Sequence, residues 1–232
     1  MKLGIMQPYF FPYIGYWQLM NAVDTYVVYD DVNYINRGWI NRNRILVAKK
    51  PQYINLNLSG ASQNKLINEI ELSKDLSYVQ KIFRTLELNY KKAPYYHITM
   101  DLIDKILNNP QTNLAIFLFD QIQLISRYLE IDTKLILSSS ISKNNSLHGE
   151  NKILEICHCL KANIYYNAIG GKTLYSKENF ENRGIALKFL ETDDIYYKQF
   201  GENFFDNLSI IDVMMFNSKE KINTMLKQYH II

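Results

Sequence analysis

The sequence predicts an α/β protein: a Rossmann-like, mostly parallel sheet with a helical insertion in the middle of the chain. Three observations carry that prediction. Short apolar runs at residues 3–6, 25–29, 134–137, 163–167 and 186–190 have the length of buried strands. The first two flank a tight loop and a short helical stretch, which is a βαβ unit, and the rhythm returns after residue 134. Between them, over about 75–130, apolar residues recur at helical spacing. The expected organisation is one domain over 1–232 with a helical subdomain at about 75–130.

In order, Leu3-Gly4-Ile5-Met6 is the first strand and must stop by Pro8, because proline cannot donate to a ladder. The loop Gln7-Pro8-Tyr9-Phe10-Phe11-Pro12-Tyr13 is stiffened by two prolines, and Gly15 admits a close approach near the start of a helix over 17–22. Strand 25–29 ends in Asp30-Asp31. Ile45-Leu46-Val47 and the alternating run 51–58 read as a hairpin turning at Lys49-Lys50-Pro51, and 67–72 as a further short strand. Val79, Ile82, Phe83, Leu86 and Tyr90 mark one helix, ended by Pro94. Leu102 to Leu107 and Leu114 to Tyr128 mark two more. Strand 134–137 runs into Ser138, a helix spans 150–160, and strand 163–167 runs into Gly170-Gly171.

Composition narrows the function classes. The chain has 232 residues, 47% of them apolar and 21% charged, which is ordinary for a globular protein. A net charge of +3 is too small to argue for a nucleic-acid or membrane surface. The longest apolar run, 114–119, falls far short of a membrane span, and no signal-peptide pattern opens the chain, so the expected location is cytoplasmic. Cys157, His158 and Cys159 cannot converge from one helix onto a metal, so no metal site is expected.

The pattern I-x-Q-P-x-x-x-P-x-x-G-Y over 5–16, the acidic pair, and Arg37-Gly38-Trp39-Ile40-Asn41-Arg42-Asn43-Arg44-Ile45 resemble the WbqC-like family. The likeness continues through Ser138-Ser139, residues 154–157, Gly170-Gly171 to Tyr175, and residues 208–212. The resemblance implies a role in bacterial surface-polysaccharide (O-antigen and capsule) biosynthesis. A weaker likeness is to nucleotidylyltransferases and adenylating ligases with H-x-G-H after their first strand. Tyr13-Ile14-Gly15-Tyr16 stands at that place, with neutral phenols where imidazoles would stabilise phosphate charge.

Several groups are candidates for chemistry. Gln7, Pro8, Tyr9, Tyr13, Gly15 and Tyr16 fall at a strand's carboxyl end, where α/β folds bind ligands. Arg37, Arg42 and Arg44, with Trp39 and Asn41 among them, suit phosphate or carboxylate. Asp30 or Asp31 supplies a general base, with Asp30 expected to face the ligand, or else both serve a turn. His148 is the histidine best placed for chemistry. Gly170-Gly171-Lys172-Thr173 lacks the earlier glycine of a phosphate loop, which leaves either a backbone nest or a tight turn. Ser138 and Tyr175 join the substrate-binding candidates. Ser209 to Asp212 has capping-box spacing and reads as structural.

The expected reaction is acyl or aminoacyl transfer to the amine of a nucleotide-linked amino sugar, which makes the protein a transferase of O-antigen or other polysaccharide biosynthesis. The rivals are a nucleotidylyltransferase or ATP-dependent ligase, and a non-catalytic module that binds a pathway intermediate. The expected partners are a nucleotide-sugar or other small-molecule substrate and an acyl or peptidyl carrier protein. A homodimer stays open, and no cofactor is named by the residues.

Overall fold

The computed structural model describes residues 1–232 and contains ten strands and eight α-helices. In chain order these are β1 (Lys2–Met6), α1 (Ile14–Asn21), β2 (Thr25–Val28), β3 (Arg42–Val47), β4 (Lys50–Asn55), β5 (Leu58–Ser59), β6 (Glu71–Leu72), α2 (Ser77–Tyr90), α3 (Tyr96–Leu107) and α4 (Leu114–Tyr128). There follow β7 (Lys134–Leu137), α5 (Gly149–Cys159), β8 (Ile164–Ala168), α6 (Lys177–Glu181), β9 (Ala186–Thr192), α7 (Ile210–Phe216), α8 (Lys219–Met225) and β10 (Tyr229–Ile231).

Six strands form the central sheet in the order β10-β9-β8-β1-β2-β7. All neighbours pair in parallel except β10, which runs antiparallel on β9. Numbered within the sheet this is the Rossmann order 3-2-1-4-5-6. The chain starts in the middle, builds outward through β2 and β7, then returns to the other side of β1 for β8 and β9. Alternation along the strands feeds two apolar layers. Leu3, Ile5 and Val27 pack with Ile153, Cys157 and Phe180 of α5 and α6. Tyr26 and Val28 face a larger layer holding α1, α2, α3, α4, α7 and α8. The insertion between β2 and β7, helices included, thus covers one face of the sheet.

Local chemistry explains the element ends. Asn113 caps α4, its side chain accepting from the N–H groups of Ala115 (3.1 Å) and Ile116 (3.2 Å). Helices α4 and α5 close with paired bonds across left-handed Glu130 (φ 57°) and Lys161 (φ 56°): Ile131 to the Ser126 carbonyl, and Ala162 to that of Cys157, both 2.9 Å. The hairpin β3–β4 turns through Ala48 and Lys49, both left-handed, one step earlier than Lys49-Lys50-Pro51.

Four expectations need correction. Residues 67–72 are not one strand: a tight helical turn at Ile67–Glu69 precedes β6, because Ile67 and Ile70 both point into the core. The run 51–58 breaks after Asn55, and Leu58 pairs with Leu72 instead. Helix α1 begins at Ile14, so Gly15 and Tyr16 lie in its first turn, not in the loop. Ser209 caps α7 through the Ile211 N–H (3.2 Å), but no reciprocal box forms. Asp212 is instead buried, accepting from Tyr90 Oη (2.7 Å), Tyr197 Oη (2.7 Å) and Gln199 Nε2 (2.8 Å). Burial pushes its carboxyl up, more than these three donors lower it.

Candidate functional site

Every parallel strand ends on the same edge, so Met6, Val28, Leu137, Ala168 and Thr192 bring their following loops together. The order reverses between β1 and β8, which is where an open α/β sheet leaves a crevice. The loop after β1 is held there by buried polar side chains from distant segments. Gln121 of α4 accepts from the Phe11 N–H (3.1 Å) and donates to the Tyr9 carbonyl (3.0 Å). Asn43 of β3 donates to the carbonyls of Phe10 (3.1 Å) and Phe11 (2.8 Å), and Ser209 Oγ to that of Phe11 (2.9 Å). Phe10 and Phe11 are sealed in the core, Phe11 at a left-handed φ of 44°. With those rings anchored, Tyr9 and Tyr13 are left facing outward.

The crevice is a cleft of about 470 Å³ that collects candidates from opposite ends of the chain. Gln7, Tyr9, Tyr13, Gly15 and Trp39 form one wall, and Asn167, Gly170, Gly171 and Tyr175 the other. Gly15 and Gly171 are each required by a close approach. A Cβ on Gly15 would stand 2.5 Å from Tyr13 Cε2 and 2.8 Å from Thr192 Oγ1, so only glycine lets the tyrosine ring fold over the helix start. A Cβ on Gly171 would press the Asn167 amide at 3.0 Å. Gly170 and Gly171 sit in a tight helical turn, neither in the left-handed conformation that a backbone nest requires, which decides for the turn.

The walls are mostly apolar, with five aromatic rings (Tyr9, Tyr13, Tyr29, Trp39, Tyr175) among aliphatic side chains such as Ile5, Ile153 and Leu190, and the amides of Gln7 and Asn167 and the Thr192 hydroxyl are their polar groups. Burial, then the neighbouring Tyr13, pushes the Tyr9 phenol up to about 12. Burial also raises Tyr13, and raises Tyr175 against hydrogen bonds from Tyr165 and Asn167 that lower it. All three are therefore neutral phenols at neutral pH. No carboxylate, thiol or imidazole lines this cleft. A side cleft of about 270 Å³ shares Tyr9, Tyr13 and Trp39 and adds Arg44. The Arg44 guanidinium lies 5.7 Å from the Trp39 ring centre and donates to the Asn207 carbonyl at 3.4 Å.

Beyond Tyr29, which lines both, is a polar cleft of about 560 Å³ over the ends of β2 and β7. Asp31, Asn33, Asn68, Ser139, Asn145, His148 and Lys152 line it. Asp31 Oδ2 takes Lys143 at 2.7 Å and Lys152 at 3.2 Å, and Lys152 also donates to the Asp31 carbonyl at 2.6 Å. Burial pushes Asp31 up. Bonds from Lys143 and Ser138, then the charges of Lys152 and Lys143, outweigh it and hold the carboxyl below its ordinary range.

Several candidates lie elsewhere than expected. Asp30 was the aspartate expected to face the ligand, but it is fully buried. It accepts from the Ser139 N–H (2.9 Å), Ser139 Oγ (2.6 Å) and Asn68 Nδ2 (3.4 Å), so Asp31 is the one on a cleft. Tyr16 is 1% exposed, its hydroxyl donating to the Gln7 carbonyl, and burial raises its phenol. Pro8 is buried as well. Asn41 is spent bracing the loop, accepting from Tyr34 Oη (2.8 Å) and donating to the Leu56 carbonyl (3.0 Å). Arg42 donates to the carbonyls of Gly38 and Arg37 and stacks on Tyr53 at 4.3 Å, while Arg37 is exposed, so only Arg44 reaches a cleft. Ser138 is buried beneath the polar cleft and its neighbour Ser139 lines it. His148 is exposed at the N-terminus of α5, on the polar cleft. Sequence reasoning missed Asn167, Lys143 and Lys152. Asn167 lies one residue from the end of β8, across from Gln7, the one signal that was available for it; the lysines carried none.

Fold and site define a Rossmann-order α/β protein with an aromatic cleft at its switch point and a polar cleft beside it. The chain belongs to the WbqC-like protein family, whose model matches residues 7–224. It is similar to "Uncharacterized protein Rv1507c" of Mycobacterium tuberculosis, 27% identical over 217 residues that cover 92% of each chain. No solved structure matches it. No helix is long and apolar enough to cross a membrane.

Proposed function

We propose that the protein serves surface-glycan assembly by transferring an acyl or aminoacyl group to the amine of a nucleotide-linked amino sugar. The observation that carries this reading is the wall composition of the switch-point cleft. Within a mostly apolar lining, the aromatic faces of Tyr9, Tyr13, Trp39 and Tyr175 and the amides of Gln7 and Asn167 suit a sugar, whose C–H faces stack and whose hydroxyls pair with amides. Arg44 beside Trp39 supplies the cation for the adjoining diphosphate.

In the transfer, the sugar amine attacks the acyl carbonyl carbon and a C–N bond forms. The bond from that carbon to its leaving group breaks, and the leaving group departs with the electron pair. The amine's proton goes to His148, the one imidazole on either cleft; Asp31, tied to two ammonium groups, is too weak a base. Tyr29 stands between acceptor and base.

The test is incubation with a nucleotide-linked amino sugar and an acyl donor, read by mass spectrometry. An acylated nucleotide-sugar is expected, with the rate falling roughly 10²–10⁴-fold in His148→Gln. Binding of the nucleotide-sugar with no product from any donor would favour the non-catalytic module. The aromatic cleft has no carboxylate, thiol or imidazole on its walls, the observation that keeps this second reading.

A further inference from the structure

We infer that the polar cleft holds the acyl group itself, and that this group is uncharged and hydroxylated rather than fatty or aminoacyl. The inference rests on the transfer reading and names the group that is transferred.

Position comes first. The base of the transfer, His148, lines the polar cleft, and Tyr29 lines both clefts. With the sugar in the aromatic cleft, its amine meets the acyl carbonyl beside these two residues. The part of the acyl group beyond the carbonyl then extends into the polar cleft.

Charge is closed off there. The Lys143 side chain is fully buried and bonds Asp31 Oδ2 (2.7 Å) and the Ser138 carbonyl. Lys152 bonds Asp31 Oδ2 (3.2 Å) and the Asp31 carbonyl (2.6 Å), and its ammonium lies 5.4 Å from the Tyr29 ring centre. Asp30 is fully buried, and each of its oxygens accepts from Ser139. Asp31 Oδ1 has no partner, but it is sealed from solvent. Two ammonium groups thus offset two carboxylates beneath the cleft, and none of the four is open to a ligand. A phosphate-bearing carrier arm finds no free cation here, and the α-ammonium of an aminoacyl group finds no free carboxylate.

Neutral hydrogen-bonding groups remain. Asn33 spends its Nδ2 on the Gln63 carbonyl (2.7 Å) and Asn68 its Nδ2 on Asp30 (3.4 Å), so both amide oxygens are open acceptors on the wall. Asn145 adds an exposed amide, which both donates and accepts. Besides Tyr29, only Val32 and Leu66 are hydrophobic in this lining. A fatty chain would cover these amides without pairing them, whereas hydroxyls donate and accept and so pair with each. At about 560 Å³ the cleft is of ligand size.

The test supplies the nucleotide-linked amino sugar with butyryl, 3-hydroxybutyryl, β-alanyl and succinyl donors, all as N-acetylcysteamine thioesters. In each transfer the C–N bond forms and the C–S bond breaks. The thiolate leaves with the electron pair, and the amine's proton goes to His148. In wild type, kcat/KM for the hydroxybutyryl donor should exceed that for each of the others at least about tenfold, the worth of one or two hydrogen bonds. In Asn68→Leu, and in Asn145→Leu, whose side chain is exposed and outside the core, the ratio of hydroxybutyryl to butyryl should fall at least about threefold. A wild type that accepts any other donor as well as hydroxybutyryl would overturn the assignment and leave the transfer reading intact. An unchanged ratio in both folded variants would do the same. No product from any donor would overturn the transfer reading, and the assignment with it.

Discussion

Asp30 and Asp31 are neighbours whose side chains answer to different surroundings. Asp30 ties the end of β2 to the turn after β7, and Asp31 is the only carboxylate on two buried ammonium groups. Asp31→Asn should therefore cost about 3–5 kcal/mol, as when a buried pair loses one partner. Asp30→Asn sets a new donor against the Ser139 N–H and should cost about 1–3 kcal/mol. Urea unfolding of both near neutral pH checks the order; an Asp31→Asn milder than Asp30→Asn would contradict it. The pH dependence has a definite sign. The folded Asp31 value lies below its unfolded value, so its contribution is present above the ordinary carboxylate range, about 3.9, and is lost as pH falls through the lowered value. Asp212 is raised and opposes this, its contribution growing as pH falls. Subtracting the Asp31→Asn profile from wild type should leave a stability difference that shrinks on acidification.

At the scale of elements, the Tyr13–Gly15 contact and the β3–β4 turn each carry a measurable consequence. Gly15→Ala forces the Tyr13 ring off the helix start, so it should lower both stability and ligand affinity. Adding Tyr13→Ala to Gly15→Ala should recover part of the stability, the Thr192 contact remaining, and none of the affinity, which a double-mutant cycle by thermal melting and titration resolves. In the turn, Ala48 and Lys49 both adopt φ near +50° to +60°. Replacing them with Asn-Gly should stabilise by about 1–2 kcal/mol, seen as a raised unfolding midpoint with unchanged slope. Elements such as these mark the limit of what the sequence discloses. Periodicity located the five long parallel strands and the three insertion helices, because burial of one face imposes a local pattern. It could not locate Gln121 and Asn43 as the clamps of the first loop, since each bond joins residues more than 30 positions apart and leaves no local trace. The same distance hid Asp31's lysines, whereas Asn41 and Arg42 were disguised by nearby partners, the Leu56 and Gly38 carbonyls, which no apolar periodicity records. Strand 67–72 failed for a simpler reason: alternation over six residues also fits a tight turn with two inward isoleucines.

On the scale of the whole molecule, one topological fact organises the rest. The chain begins in the centre of its sheet, so the reversal of strand order places Gln7 beside Asn167 and opens a cleft there. The 29–133 insertion adds Trp39 to one side of it, with Arg44 on the adjoining side cleft, and residues 169–175 close the other. Volume does not single this cleft out, for the polar cleft is larger, and another of about 440 Å³ lies among residues 192–208. Position and wall chemistry do. The proposed function therefore requires that a nucleotide-linked amino sugar bind at the switch point. The most direct measurement is calorimetric titration of that ligand, beside its free nucleotide and free sugar, into wild type, Trp39→Ala and Tyr175→Ala. Wild type should prefer the intact ligand over both parts, and each variant should lose about tenfold or more, in line with about 0.5–1.5 kcal/mol per aromatic contact plus the lost burial. Equal affinity in wild type and both folded variants would contradict the central claim.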